Sequence, residues 1–148
     1  MSSKPPVGYV NVRVFSHATE DPEKVQTAVR NTIPEELAQG AVFGKTSLTG
    51  HHGNPITLFE TRFTDKGAIS SVIQKLALGI TSLDKTRLSD EMSLHVEGRD
   101  LYLRFDKQSA YHGKLQFSSN DPIHFRIHFN NKKSEEIILL CREIGLLP

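Results

Sequence analysis

Apolar and polar positions alternate over residues 9–16: Val10, Val12 and Val14 fall on one side, and Tyr9, Asn11, Arg13 and Phe15 on the other. A period of two is that of a strand buried on one face. The same alternation predicts strands over residues 101–106 and 123–129. The first turns Leu101, Leu103 and Phe105 inward and Tyr102, Arg104 and Asp106 outward; the second turns Ile123, Phe125, Ile127 and Phe129 inward and His124, Arg126 and His128 outward. Residues 41–48 and 56–63 flank Gly50-His51-His52-Gly53-Asn54-Pro55 and read as a hairpin around a glycine-bearing loop. Residues 94–97 read as a short strand that turns at Gly98-Arg99-Asp100 into 101–106, and 114–117 as another short strand.

Helices follow from a second period and from caps. Asp21-Pro22-Glu23 has the order of N-cap, first-turn proline and acid, with Val25, Ala28, Val29 and Thr32 as the inner stripe and Pro34 just past the end. Thr64-Asp65 opens a helix whose apolar positions are Ala68, Ile69, Val72, Ile73, Leu76 and Ala77, with Gly79 near its stop. Residues 84–92 predict a shorter helix, and 107–113 an irregular segment with one helical turn. Asn130 or Asn131 is the expected cap of a last helix carrying Ile137, Leu140, Cys141 and Ile144 inward and stopping at Gly145. The order β-α-β-β-α-α-β-β-(β)-β-α predicts an α+β two-layer sandwich, a mainly antiparallel sheet with helices on one face. Residues 1–8 read as a flexible tail and 9–148 as one domain.

Composition supports a globular chain: 148 residues, 37% hydrophobic and 24% charged. One cysteine, Cys141, rules out an internal disulfide and a Cys-rich zinc site. Its place on an apolar stripe marks it as a core residue. The first six residues carry no apolar core of a signal peptide, and no apolar run reaches the length of a membrane span, so a cytoplasmic protein without membrane contact is expected.

The net charge of +1 excludes a strongly basic nucleic-acid tail but says nothing about distribution. Residues 99–133 hold seven Lys/Arg against three Asp, a local charge of +4 that leaves −3 for the rest. If helices cover the apolar side of the sheet, its other side presents Arg13, Arg104, Arg126, Tyr9, Tyr102, His124 and His128, with His95 as a further member. Guanidinium groups fork onto phosphates, and rings stack on unpaired bases. Lys107, Gln108 and Lys114 follow the Arg104 strand and are candidates for a phosphate or a base edge. In the 50–55 loop, His51, His52 and Asn54 are candidates for the same ligand, while a bare hairpin tip is an equally good reading.

Enzyme chemistry finds little support. His17-Ala18-Thr19 has the form of half a two-histidine phosphoesterase signature, but no second His-x-Thr or His-x-Ser exists. His124 and His128 stand about 13 Å apart on one strand, too far to share a zinc ion. No phosphate-binding lysine loop, dinucleotide glycine fingerprint or His-Glu-x-x-His occurs. A non-enzyme without metal or cofactor is expected.

Three segments carry a resemblance. Tyr-Val-Asn-Val-Arg-Val-Phe-Ser-His-Ala-Thr-Glu-Asp at 9–21, Gly-His-His-Gly-Asn-Pro-Ile at 50–56 and Leu-Arg-Phe-Asp-Lys-Gln-Ser-Ala-Tyr-His-Gly at 103–113 resemble an archaeal family described as an RNA-binding domain or predicted exosome subunit. The likeness runs over residues 8–146. It implies a fold like that of the ribosomal large-subunit protein that binds 5S RNA, an RNA partner, exosome components as further partners, and an archaeal cytosolic setting. Through these segments it points to His51, His52, Asn54, Arg104, Lys107 and Gln108. With the strand faces, the expected RNA contacts are Arg13, His51, His52, Asn54, Tyr102, Arg104, Lys107, Gln108, Lys114 and Arg126. The alternative is a protein-interaction module, in which Tyr9, Phe15 and Tyr102 pack on a partner or a second copy.

Overall fold

The strand expected at residues 9–16 becomes the centre of the sheet. The computed structural model describes residues 6–50, 52–130 and 133–148. In chain order the elements are β1 (Val7–His17), α1 (Pro22–Arg30), α2 (Glu35–Gln39), β2 (Gly44–Thr49), β3 (Pro55–Phe63), α3 (Lys66–Gly79), α4 (Ser82–Asp90), α5 (Met92–His95), β4 (Val96–Glu97), β5 (Asp100–Phe105), α6 (Lys107–Tyr111), β6 (Ile123–Phe129) and α7 (Ser134–Glu143). The strands form one sheet in the order β2-β3-β1-β6-β5-β4. Every pairing between them is antiparallel. The result is the expected α+β arrangement, an open antiparallel sheet with helices layered on it.

Alternation places the core. Val10, Val12 and Val14 of β1, Leu101, Leu103 and Phe105 of β5, and Ile123, Phe125, Ile127 and Phe129 of β6 have no exposed surface. Phe105 meets Phe125 edge to face, with centroids 5.4 Å apart. Each such side chain contributes about 1.5–3 kcal/mol by leaving water. α1 adds Val25, Ala28 and Val29, α3 adds Ile69, Val72, Ile73 and Leu76, and α7 adds Ile137 and Cys141 to the same buried cluster. Burial pushes the Cys141 thiol up to about 12, so it is a packing residue and not a thiolate.

Caps do what their chemistry requires. The Asp21 carboxylate accepts from Glu23 N at 3.0 Å and that of Asp65 from Ala68 N at 3.0 Å. Asp106, expected on the open face, instead caps α6 by accepting from Ser109 N at 2.8 Å.

Several boundaries differ from expectation. β1 begins at Val7, inside the expected tail, because Val7 pairs with Phe129 and is only 5% exposed; residues 1–5 lie outside the described residues. Pro34 does not merely stop α1; it is the N-cap of the short α2. Residues 94 and 95 are helical rather than extended: Met92 anchors α5 in the core while Leu94 points to solvent, so the alternation there does not track burial. The strand after them shrinks to Val96–Glu97, and the hairpin to β5 turns at Gly98, whose φ of 62° suits glycine alone at low cost. Residues 114–117 contribute only one bridge, Phe117 to Phe105. Lys133, not an asparagine, is the N-cap of α7, its N–H donating to Glu136 Oε1 at 3.3 Å; Asn131 lies outside the described residues. Among the described residues no helix is long and apolar enough to cross a membrane.

Because Phe125 fills the centre of this layer, Phe125→Ala should lower stability by about 3–5 kcal/mol. Val42→Ala, at a position 83% exposed, should change it by less than about 0.5 kcal/mol. Urea unfolding followed by circular dichroism reads both.

Candidate nucleic-acid interface

Antiparallel register sorts the outward side chains into rows across the sheet. One row runs Glu60–Arg13–His124–Arg104 across β3, β1, β6 and β5. A second runs Arg62–Asn11–Arg126–Tyr102, and a third Tyr9–His128–Asp100. Neighbouring strands lie about 4.8 Å apart, so adjacent members of a row are in reach of one another.

The second and third rows are tied together. Asp100, 8% exposed, accepts from Arg126 Nη2 at 2.8 Å through one oxygen and sits 2.7 Å from His128 Nδ1 through the other. The Asp100 hydrogen bond raises the pKa of Arg126 above its ordinary value. The His128 ring stacks on Tyr9 with centroids 4.8 Å apart and planes 9° from parallel. Arg62 Cζ lies 4.1 Å from the Tyr9 ring centre, and Arg126 Cζ lies 5.9 Å from Tyr9 and 5.8 Å from Tyr102. Asn11, read as outward, does face this side but is only 6% exposed. It donates to Glu60 Oε2 at 2.8 Å and accepts from Arg62 Nε at 3.2 Å.

The first row is different. Arg13 and Arg104 are exposed, and neither makes a hydrogen bond or ion pair through its guanidinium among the described residues. Between them His124 is held neutral: burial lowers its pKa first, then the charges of Arg13 and Arg104, with Asp121 opposing. Two unpaired guanidinium groups around a neutral imidazole make a site that an anion would complete.

The other expected contacts scatter. Residues 99–133 hold seven cations; Lys132 lies outside the described residues, and of the other six only Arg104 and Arg126 stand on the strands of this face. Lys107 is 13% exposed and spent inside the fold. Its ammonium donates to the Phe15 carbonyl, to Glu20 Oε1 at 3.0 Å and to Asp121 Oδ2 at 2.8 Å. Burial would raise the Asp121 pKa, but hydrogen bonds from Lys107 and His17 and their charges together hold it below the usual carboxylate range. Gln108 is exposed beside the start of α1, in a cleft with Glu20, Lys24 and Tyr111. Lys114 lines a groove with α3 and α4, on the helical layer. His52 and Asn54 are exposed in the β2–β3 loop, and His51 lies outside the described residues. That loop leads into β3 just before Ile56, which lies four residues along the strand from Glu60, or about 13 Å.

His17 has the company of a metal site rather than of a phosphoesterase pair. His17, Glu20 and Asp121 each place a ligand atom within 4.8 Å of the others. The Lys107 ammonium already occupies that cluster as its cation, and His17 Nε2 lies 3.1 Å from Asp121. His95, expected near the open face, is half-buried with Nδ1 3.1 Å from the Tyr102 carbonyl.

Two participants escaped the sequence reading. Arg62 lies in the hairpin strand over 56–63, where the same alternation puts Leu58, Glu60 and Arg62 outward. Asp100 reads from the sequence as a turn residue, and only its register opposite His128 and beside Arg126 brings it to the His128 ring and the Arg126 guanidinium.

Known proteins are similar to this chain over nearly its whole length. RNA-binding protein PAB1135 of Pyrococcus abyssi is 33% identical over 148 residues, spanning 97% of this chain and 96% of the relative. Protein MJ0213 of Methanocaldococcus jannaschii, described as uncharacterized, is 30% identical over 92% of this chain and 97% of its own length. Among solved structures, protein AF2318 from Archaeglobus fulgidus superposes with a TM-score of 0.80 at 27% identity, over 93% of this chain and 99% of that one. Mth689 from Methanothermobacter thermautotrophicus, a DUF54 protein, does so at 0.77 and 30% identity, over 94% and 98%. A family model described as RNA binding matches residues 9–129, from the start of the alternation in β1 to the last residue of β6, and the chain belongs to that RNA-binding family.

Proposed function

We propose that the protein binds RNA on the open face of its sheet and acts as an accessory, non-catalytic factor in archaeal RNA processing. The observation that carries this reading is the Arg13–His124–Arg104 row, whose two guanidinium groups are exposed and have no carboxylate paired to them among the described residues. Phosphate neutralisation is its main source of affinity. Tyr9 contributes less by base stacking than its exposure to the face suggests, because His128 and Arg62 already lie against its ring. Tyr102 is the better stacking candidate, with Arg126 beside it. His51, His52 and Asn54 serve as a secondary contact at the sheet's edge, reached only by an RNA long enough to cross from the central row. Lys107 is structural in this reading, and Lys114 lies off the RNA path. Association with exosome components and a cytoplasmic setting belong to the same proposal, and rest on the sequence resemblance alone.

One feature favours a second reading. Phe15, Ile56, Leu58 and Leu48 adjoin in register at the corner of the open face nearest the β2–β3 loop. Leu48 is 41% exposed. A second copy packed there would make this face a dimer surface. Substituting Arg13 and Arg104 separates the two: RNA retention falls with an unchanged oligomer if RNA is the ligand, whereas a changed oligomer with RNA retention intact supports dimerisation.

Filter binding across salt concentrations is the quantitative test. Wild type should lose affinity steeply from low to moderate salt. Arg13→Ala and Arg104→Ala should each reduce the log–log salt slope by about 0.7–0.9, one released counterion apiece. Arg13→Glu/Arg104→Glu should weaken binding by at least about tenfold, roughly 1.4 kcal/mol. Flat salt dependence in the wild type contradicts the reading. Lys107→Ala should behave oppositely, lowering stability by about 1 kcal/mol by taking the shared donor from the Phe15 carbonyl and the partly exposed Glu20 and Asp121 carboxylates, without changing the salt slope.

A pH dependence follows from His124. Its pKa in the free protein lies below 6.5, so it is neutral at pH 7 and opposes protonation of the folded chain. A bound phosphate raises that pKa, so RNA binding takes up a proton and affinity should rise as pH falls from 7.5 to 5.5. His124→Asn should flatten the profile. Equal affinities at the two pH values in the wild type would remove His124 from the site.

A further inference from the structure

A second surface lies on the helical layer, away from the arginine rows. α3 and α4, the turn after α1 and residues 113–116 enclose an open groove of about 1050 Å³. That is at the upper end of small-ligand pockets, about 300–1,000 Å³, and it is not closed over as those are. Leu78 of α3 and Leu83 of α4 stand in its lining with 80% and 65% of their surface exposed. Leu115 lies half-buried between the two layers. It packs closely on Gly79, where an added Cβ would come 2.7 Å from Leu115 Cδ1 and the leucine would have to shift.

Its charge is one-sided. Arg87 and Lys114 line it, are exposed, and make no side-chain hydrogen bond or ion pair among the described residues. Lys75 adds a third cation, its ammonium donating to the Ile33 carbonyl at 2.9 Å. Asp84, also in the lining, is 7% exposed and turned inward, accepting from Phe117 N at 3.2 Å. Glu36 remains as the one exposed carboxylate of the lining. Leu83 and Arg87 are four residues apart on α4, so an apolar anchor site and a cation share one face of that helix.

We propose that this groove docks a partner protein through an acidic amphipathic segment. Leucine-type side chains of the partner would cover Leu78, Leu83 and Leu115, and its carboxylates would meet Arg87 and Lys114. The exposed leucines favour a protein over RNA, whose backbone gains nothing from apolar lips. Because the groove is formed by helices and the arginine rows by strands, the two ligands can be held together, which makes the chain a bridge between an RNA and a protein. The docking surface stands whether or not the sheet face binds RNA.

The test is a selection on the full-length chain. A phage library of random 16-residue peptides is enriched on the wild type and depleted on Leu78→Ser/Leu83→Ser/Arg87→Glu. The amide NMR spectrum checks that the variant folds. Should it not, Arg87→Glu/Lys114→Glu keeps the leucines and takes its place. Enriched peptides should carry apolar residues at helical spacing and net negative charge. A synthetic copy should shift the amides of residues 74–87 and 113–116, and exchanging its Glu and Asp for Lys should weaken it at least tenfold. No enrichment over the variant, enrichment of basic or uncharged peptides, or shifts confined to the sheet face would overturn the proposal. Self-association of the wild type that the variant loses would instead assign the groove to a second copy, and a loss of RNA affinity in the variant would assign it to RNA. A loss of RNA affinity confined to the Arg13 and Arg104 variants leaves the groove untouched, so the two readings fail separately.

Discussion

A strand buried on one face cannot choose where its other side chains go. That constraint organises this protein. Val10, Val12 and Val14 must enter the core, so Tyr9, Asn11, Arg13 and Phe15 must leave it. β5 and β6 obey the same rule, and antiparallel register then lines their outward residues up with those of β1. The cationic face is therefore a by-product of burial: the phenylalanines and isoleucines that hold the sheet to the helices also hold Arg13, His124 and Arg104 in a row. A one-residue slip in β6 would destroy both at once.

The face is not uniformly free. Asp100 takes Arg126 and the His128 ring, and Asn11 accepts from Arg62 while donating to Glu60, so the sheet engages one side of its own surface. What remains uncompensated is narrow, Arg13 and Arg104 with a neutral histidine between them. On the proposed reading, a chain of net charge +1 in an RNA-binding family works with a short row of available charge instead of a basic field. Partial self-pairing also limits indiscriminate attraction to anions, since charges engaged with Asp100 are costly to redirect.

Local signals made most of the architecture legible. Alternation gave β1, β5 and β6 with their inward residues, and Asp21-Pro22 and Asp65 gave the starts of α1 and α3. Where burial departs from pattern the reading failed. Leu94 is apolar but exposed, so residues 94–97 looked like a strand when Met92 had made the turn helical. The site was half legible for the same reason. Arg13, Arg104, Arg126 and Tyr102 follow from period two. Lys107 and Lys114 do not, because their directions depend on contacts distant in sequence: Glu20 and Asp121 for the one, and the packing of residues 113–116 on α3 for the other. A local charge count cannot separate a lysine facing a phosphate from one locked to two carboxylates.

The central claim is that RNA lies across β1, β6 and β5 on the open face. Ultraviolet crosslinking of the full chain to bound RNA, with mass spectrometry of the crosslinked peptides, tests it directly. The account predicts nucleotide adducts on peptides containing Arg13, Tyr102–Arg104 and His124–Arg126. Adducts confined to α3, α4 and residues 113–116, with none on the sheet strands, would contradict it.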